Sequence, residues 1–242
     1  MAIRAVVLCL AALLFGAGLH AENIDGTIVV KRKLTKRRVT ASLPLYQRGP
    51  AVELGTDVPE DPLSFERARV VVYLEGRRPA PPVTATIEQA NRRFGQDTVV
   101  IPAGSKVSFP NQDPIFHNVF SLSKAKTFDL GNYPKGETRT VTFNEPGIVF
   151  VNCHLHSNMA ATVVVTPNQW NARAGRDGHF SLRDVPPGTY TVVAWHKAAG
   201  FFRKQIEVVA GRGTSIGFLI PLDDDGAFPA READSLKLQS RK

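Results

Sequence analysis

Cys153-His154-Leu155-His156-Ser157-Asn158-Met159 gathers a thiol, a thioether and two imidazoles within seven residues. Another imidazole, His117, lies 36 residues earlier, in Asn111-Gln112-Asp113-Pro114-Ile115-Phe116-His117-Asn118. Two His, one Cys and a weak axial Met are the ligands of a trigonal copper site. Thiolate and thioether suit Cu(I), and imidazole suits Cu(II) as well. A rigid frame that holds one compromise geometry leaves little to rearrange when an electron moves. The residues therefore point to one-electron transfer.

The ends of the chain give its expected address. Residues 1–21 read as a secretory signal: Arg4, an apolar run from Ala5 to Leu14, then the small residues of Gly16-Ala17-Gly18-Leu19-His20-Ala21. The run is too short for a membrane span. Cleavage after Ala21 predicts a periplasmic protein of 221 residues, enough for two small domains. Cys9 leaves with the signal, so Cys153 is the single cysteine of the mature chain. An exported protein with one Cys has no internal disulfide, and two His and a Met beside this one favour a ligand role.

The formal charge is +8, or +7 without Arg4. Lys31-Arg32-Lys33 and Lys36-Arg37-Arg38 concentrate part of it. Such a surface can steer acidic redox partners or adhere to anionic lipid headgroups. A solvated basic strand and turn accounts for it equally well. Export argues against nucleic acid as a partner.

The elements that must position the ligands are strands. Short β-branched runs recur at Thr27–Val30, Ala68–Leu74, Val83–Ile87, Thr98–Ile101, Lys106–Phe109, Thr138–Phe143, Ile148–Val151 and Thr162–Val165. Gly and Pro separate them, as in Pro102-Ala103-Gly104 and Glu145-Pro146-Gly147. This spacing predicts an all-β sandwich. Residues 40–63 are rich in Pro and Gly and read as an insertion. Cys153 is expected to end a strand, with His156 and Met159 on the loop that follows. His117 is expected on the loop after Lys106–Phe109. A second block follows Thr166, with strands at Gly178–Leu182, Thr189–Trp195, Phe201–Val209 and Gly213–Ile220. Residues 222–242 read as a polar tail.

From Ile87 to Val165 the chain resembles the cupredoxins, the blue copper proteins. The resemblance rests on Thr98–Phe109, Asn111-Gln112-Asp113, His117-Asn118-Val119, Pro146-Gly147 and the Cys153 loop. The spacing Cys-x2-His-x2-Met is that of amicyanin-like members. The resemblance implies a Greek-key sandwich and one mononuclear type 1 copper. His117, Cys153 and His156 would be its equatorial ligands and Met159 the axial one. It further implies that Asn118 ties the two ligand loops together near the Cys sulfur. Leu155 and Ser157 stand where such loops often carry Pro. Residues 167–221 resemble the carboxypeptidase regulatory-like, or transthyretin-like, sandwich, through Gly178-His179-Phe180-Ser181-Leu182 and Val185-Pro186-Pro187-Gly188-Thr189-Tyr190. That likeness implies a non-catalytic β domain. The pair together is similar to exported methylamine-utilisation-type proteins. The expected division is 22–166 for the copper domain and 167–221 for the second.

Rival metal chemistry fares worse. A His-Cys-His run links the copper sites of multicopper oxidases, but Asn152 precedes Cys153. The mature chain holds five His, at 117, 154, 156, 179 and 196, too few for a trinuclear cluster in a lone chain. One mature Cys excludes a two-Cys dinuclear centre. His154 is expected to face solvent or pack the loop. No nucleophile motif or phosphate-binding loop stands out. The functional expectation is an exported one-electron carrier rather than an enzyme. The alternative is a copper-binding module for delivery, storage or sensing.

Overall fold

The computed structural model describes residues 21–34 and 61–221. The signal segment up to residue 20, the insertion from 40 to 60, Lys36-Arg37-Arg38 and the tail from 222 lie outside the described residues. The described chain is almost wholly β, as its β-branched runs predict.

The first strands are β1 (Glu22–Val30), β2 (Val71–Leu74), β3 (Thr84–Thr86), β4 (Gln89–Ala90) and β5 (Arg93–Phe94), with a helical turn α1 (Ser64–Arg67) before β2. Next come β6 (Thr98–Pro102), β7 (Ser105–Pro110), β8 (His117–Ser123), β9 (Lys126–Tyr133), β10 (Thr138–Phe143), β11 (Gly147–Asn152) and β12 (Ala160–Thr166). The last are β13 (Asn171–Arg173), β14 (His179–Val185), β15 (Gly188–His196), β16 (Gly200–Val208) and β17 (Thr214–Ile220).

Four sheets carry the architecture. Strands β10-β7-β3 form one and β6-β12-β11-β8-β9 another. Their facing side chains, among them Phe109, Phe143, Val119, Val149, Val151 and Val163, make the core of the ligand-bearing sandwich. Strands β14-β1-β17 and β13-β2-β15-β16 make the other two sheets. These enclose a separate core that includes Ile24, Ile28, Leu74, Leu182, Val192 and Phe218.

The expected division at residue 166 needs correction. Strand β1 pairs antiparallel with β14 and parallel with β17, and β2 pairs with β13 and β15. Both strands belong with the C-terminal block, so the ligand-bearing sandwich is an insertion within the second one. The reason is the register of apolar faces. Ile24, Ile28 and Val30 of β1 fill the same core as Ile216, Phe218 and Ile220 of β17. A one-residue slip would turn those side chains outward. Nothing in the local pattern of β1 names a partner 190 residues away, as Ile24 is from Thr214.

The two chain crossings between the sandwiches run side by side. Asn168 donates from Nδ2 to the carbonyls of Leu74 and Gly76, each at 2.9 Å, which stitches exit to return. A third apolar cluster, Val71, Val164 and Trp195, joins the sandwiches, with Tyr73, Val100 and Ile148 around it. The sheet containing β12 is thus covered on both faces. That is why Ala161–Thr166 is buried without alternation.

Strands β8 and β9 lie where no strand was expected, and His117 was expected on a loop. Strand β9 is a sheet edge with half-buried Lys126, Phe128 and Leu130 alternating with exposed Thr127, Asp129 and Gly131. Asp and Gly are depleted in strands, which hides the pattern.

Candidate metal centre

His117 is the first residue of β8, not a loop residue as expected, and is fully buried. Cys153 directly follows β11 and is 5% exposed. The segment from Cys153 to Met159 folds tightly on itself. The Cys153 N–H donates to the Met159 carbonyl at 3.3 Å, and the Met159 N–H to the His156 carbonyl at 3.0 Å. Asn158 also donates to the Arg92 carbonyl at 3.2 Å, which anchors the loop on the β4–β5 hairpin.

These elements bring His117, Cys153 and His156 together, with one ligand atom of each within 4.8 Å of the others. The Nδ1 atoms of His117 and His156 are 3.2 Å apart, and His156 Nδ1 is 3.9 Å from Cys153 Sγ. Bond lengths of about 2.0 Å to imidazole nitrogen and about 2.3 Å to thiolate sulfur suit N···N and N···S separations of roughly 3–4 Å around one ion. The donor set fits a single metal. Met159 is buried in the same apolar cluster as Cys153.

Asp113 sets the direction of His117. Its Oδ2 is 2.7 Å from His117 Nε2, so the ring donates Nε2–H and keeps the Nδ1 lone pair facing His156. The same carboxylate accepts the N–H groups of Asn91 at 2.6 Å and Arg92 at 2.8 Å. Asn91 and Arg92 both adopt positive φ, as the two-residue turn between β4 and β5 demands. Burial raises the Asp113 carboxyl, but those N–H groups and His117 outweigh it and hold it below the ordinary carboxylate value. Burial, with His117 and Arg92 nearby, lowers His156 and favours the neutral ring a metal requires. Sequence reasoning assigned Asp113 no role. Its position four residues before His117 was the available signal.

Asn118 stands between the two ligand segments. Its backbone N–H points at Cys153 Sγ, 3.5 Å away, and its Oδ1 accepts the His154 N–H at 3.4 Å. Its Nδ2 donates to Asp129 Oδ1 at 2.6 Å. His154 is exposed, yet ordered by contact. Its ring stacks on Phe120 with centroids 3.6 Å apart and planes at 4°, and its Nε2 is 3.7 Å from Asp129 Oδ2. His154 is not part of the His117–Cys153–His156 group. His179 and His196 lie in the other sandwich; His196 is buried beside Glu66, 3.3 Å away. Phe116 and Leu155, the chain neighbours of His117 and of the half-buried His156, are exposed apolar side chains.

Residues 154–216 match the family described as polysaccharide lyase family 4, domain II. No curated protein matches the chain. Among solved structures, the copper-containing nitrite reductase of Thermus scotoductus is similar at 22% identity and a TM-score of 0.33. That likeness covers 38% of this chain and 24% of the reductase, so the chain spans about a quarter of its length. A purple cupredoxin from Nitrosopumilus maritimus is similar at 22% identity over 34% of this chain and 99% of its own, with a TM-score of 0.31. Amicyanin from Paracoccus versutus is similar at 22% identity over 39% of this chain and 96% of its own, with a TM-score of 0.32.

Proposed function

We propose that the chain is an exported type 1 copper protein that carries single electrons between redox partners. The observation that carries this reading is the convergence of His117, Cys153 and His156, with His117 held in the metal-binding tautomer by Asp113. Cys153, His117 and His156 would hold the ion, and Met159 would be its axial neighbour. Copper bound there supplies a one-electron couple.

The protein's own part is to fix the donors before the metal arrives. His117 and Cys153 are immobilised in the core, and His156 reaches the surface where an electron can enter and leave. Phe116 and Leu155 give that exit an apolar rim for brief docking, and weak, small interfaces are typical of such encounters. The basic surface would steer acidic partners. We assign a periplasmic location on the strength of the signal segment, and a supporting, non-catalytic role to the second, transthyretin-like sandwich.

A visible spectrum of the Cu(II)-loaded protein tests the reading. An intense thiolate-to-copper charge-transfer band, lost in Cys153→Ser, is expected. Tight Cu(I) binding without such a band would replace the carrier with a copper-handling module.

A further inference from the structure

We infer that Asp129 is a positioning residue: its carboxylate holds the Asn118 side chain and so steadies the stretch of β8 whose backbone N–H, that of Asn118, points at the Cys153 sulfur. The inference rests on the copper reading above and adds to it a device outside the ligand loops.

The device begins in the backbone of β8 and β9. Asn118 pairs with Asn132 and Phe120 pairs with Asp129, so Leu130 and Gly131 together oppose Val119 alone. That is a β-bulge, and bulges re-aim side chains. Gly131 takes a φ of +65° at this point, a conformation that suits glycine. The bulge brings the Gly131 N–H to Asp129 Oδ1 at 2.8 Å, the same oxygen that accepts Asn118 Nδ2 at 2.6 Å. Asp129 is therefore held by its own strand and in turn holds Asn118.

His154 closes the other side. Its backbone N–H donates to Asn118 Oδ1, and its ring rests on Phe120, the residue paired with Asp129. Both ends of the Asn118 side-chain amide are thereby engaged. The Asn118 backbone N–H lies 3.5 Å from Sγ, an ordinary separation for a sulfur acceptor, and a shift of the β8 backbone at Asn118 would lengthen it. Hydrogen bonding around a ligating sulfur tunes the potential of such copper sites. An exposed carboxylate on an edge strand can thus reach the metal through one intervening residue.

The test compares Asp129→Ala with Asp129→Asn. Both lose the charge, but Asn keeps an acceptor oxygen for Asn118 and Gly131. In the metal-free protein, amide hydrogen exchange at Asn118 and His154 is expected to quicken in Asp129→Ala by roughly five- to tenfold, the effect of one net hydrogen bond. Asp129→Asn is expected to exchange like wild type. In the copper-loaded protein, Asp129→Ala is expected to keep the charge-transfer band and have a lower reduction potential than Asp129→Asn. Equal potentials and equal exchange in the two variants would overturn the clamp and leave only a charge effect. A wild-type protein without the band would sink the copper reading instead, while the exchange measurement still decides whether Asp129 holds Asn118.

Discussion

Replacing Asp113 by Asn keeps the shape of a nearly buried side chain and removes its charge and one acceptor. Three donors converge on Asp113: Asn91 N–H at 2.6 Å, Arg92 N–H at 2.8 Å and His117 Nε2 at 2.7 Å. Asn offers one acceptor oxygen. If that oxygen takes the place of Oδ2, the new amide faces the Asn91 N–H, donor against donor. If it takes the place of Oδ1, the amide faces Arg92 N–H and His117 Nε2. The ring can then pair only by moving its proton to Nδ1, the atom that must hold metal. One unsatisfied donor costs about 1–3 kcal/mol. For a chain of this size, that is a fall in Tm of roughly 2–4 °C per kcal/mol. Loss of a ligand-orienting partner typically weakens metal binding about 10–100-fold. Thermal unfolding of the metal-free protein and chelator competition for copper measure the two effects separately. Copper affinity within twofold of wild type, with stability changed by less than about 0.5 kcal/mol, would refute the role given to Asp113.

Met159→Leu conserves volume in a fully buried position and is expected to cost less than about 1.5 kcal/mol. Its copper should remain bound, with a higher reduction potential from loss of the axial sulfur; electrochemistry showing an unchanged potential would remove Met159 from the ligand set. Trp195→Ala empties the centre of the junction between the sandwiches and is expected to cost about 3–5 kcal/mol in denaturant unfolding. A cost under about 1 kcal/mol would mean that the junction contributes little. His196 supplies a pH signature. Burial first, and Arg69 after it, hold the ring below its ordinary value of 6.5, against the pull of Glu66. A depressed folded value means that the unfolded chain binds the proton more readily. The stability from neutral His196 is therefore present above pH 6.5 and lost as pH falls through the folded value. Denaturant unfolding of wild type and His196→Gln should show a stability difference that shrinks below pH 6.5, and a constant difference would rule this out.

Much of the ligand-bearing sandwich was legible because its signals are local. Val163-Val164-Val165 and Thr98–Ile101 read as strands from side-chain shape, and Pro102-Ala103-Gly104 reads as a turn. Gly104 does take a φ of +90° there. Strand β9 was less legible because Asp129 and Gly131, which interrupt the pattern, serve the bulge rather than the core. His154 reads in sequence only as a solvent-facing or loop-packing residue, since the ring it stacks on lies far away in the chain, on β8. Asp113 was in view as a residue, but the hairpin that delivers two N–H groups to it is set by the fold.

The sequence by itself determined the donor types, their spacing on the Cys153 loop and the all-β character, because ligand chemistry and strand propensity reside in individual residues and their near neighbours. Tertiary structure alone decided that β1 and β2 join the C-terminal strands, that His117 opens a strand, and that Asp113 meets His117 while Asp129 meets Asn118. Those outcomes depend on which apolar faces close on one another and in what register, and that choice is made by burial across long stretches of chain rather than by any short run of residues.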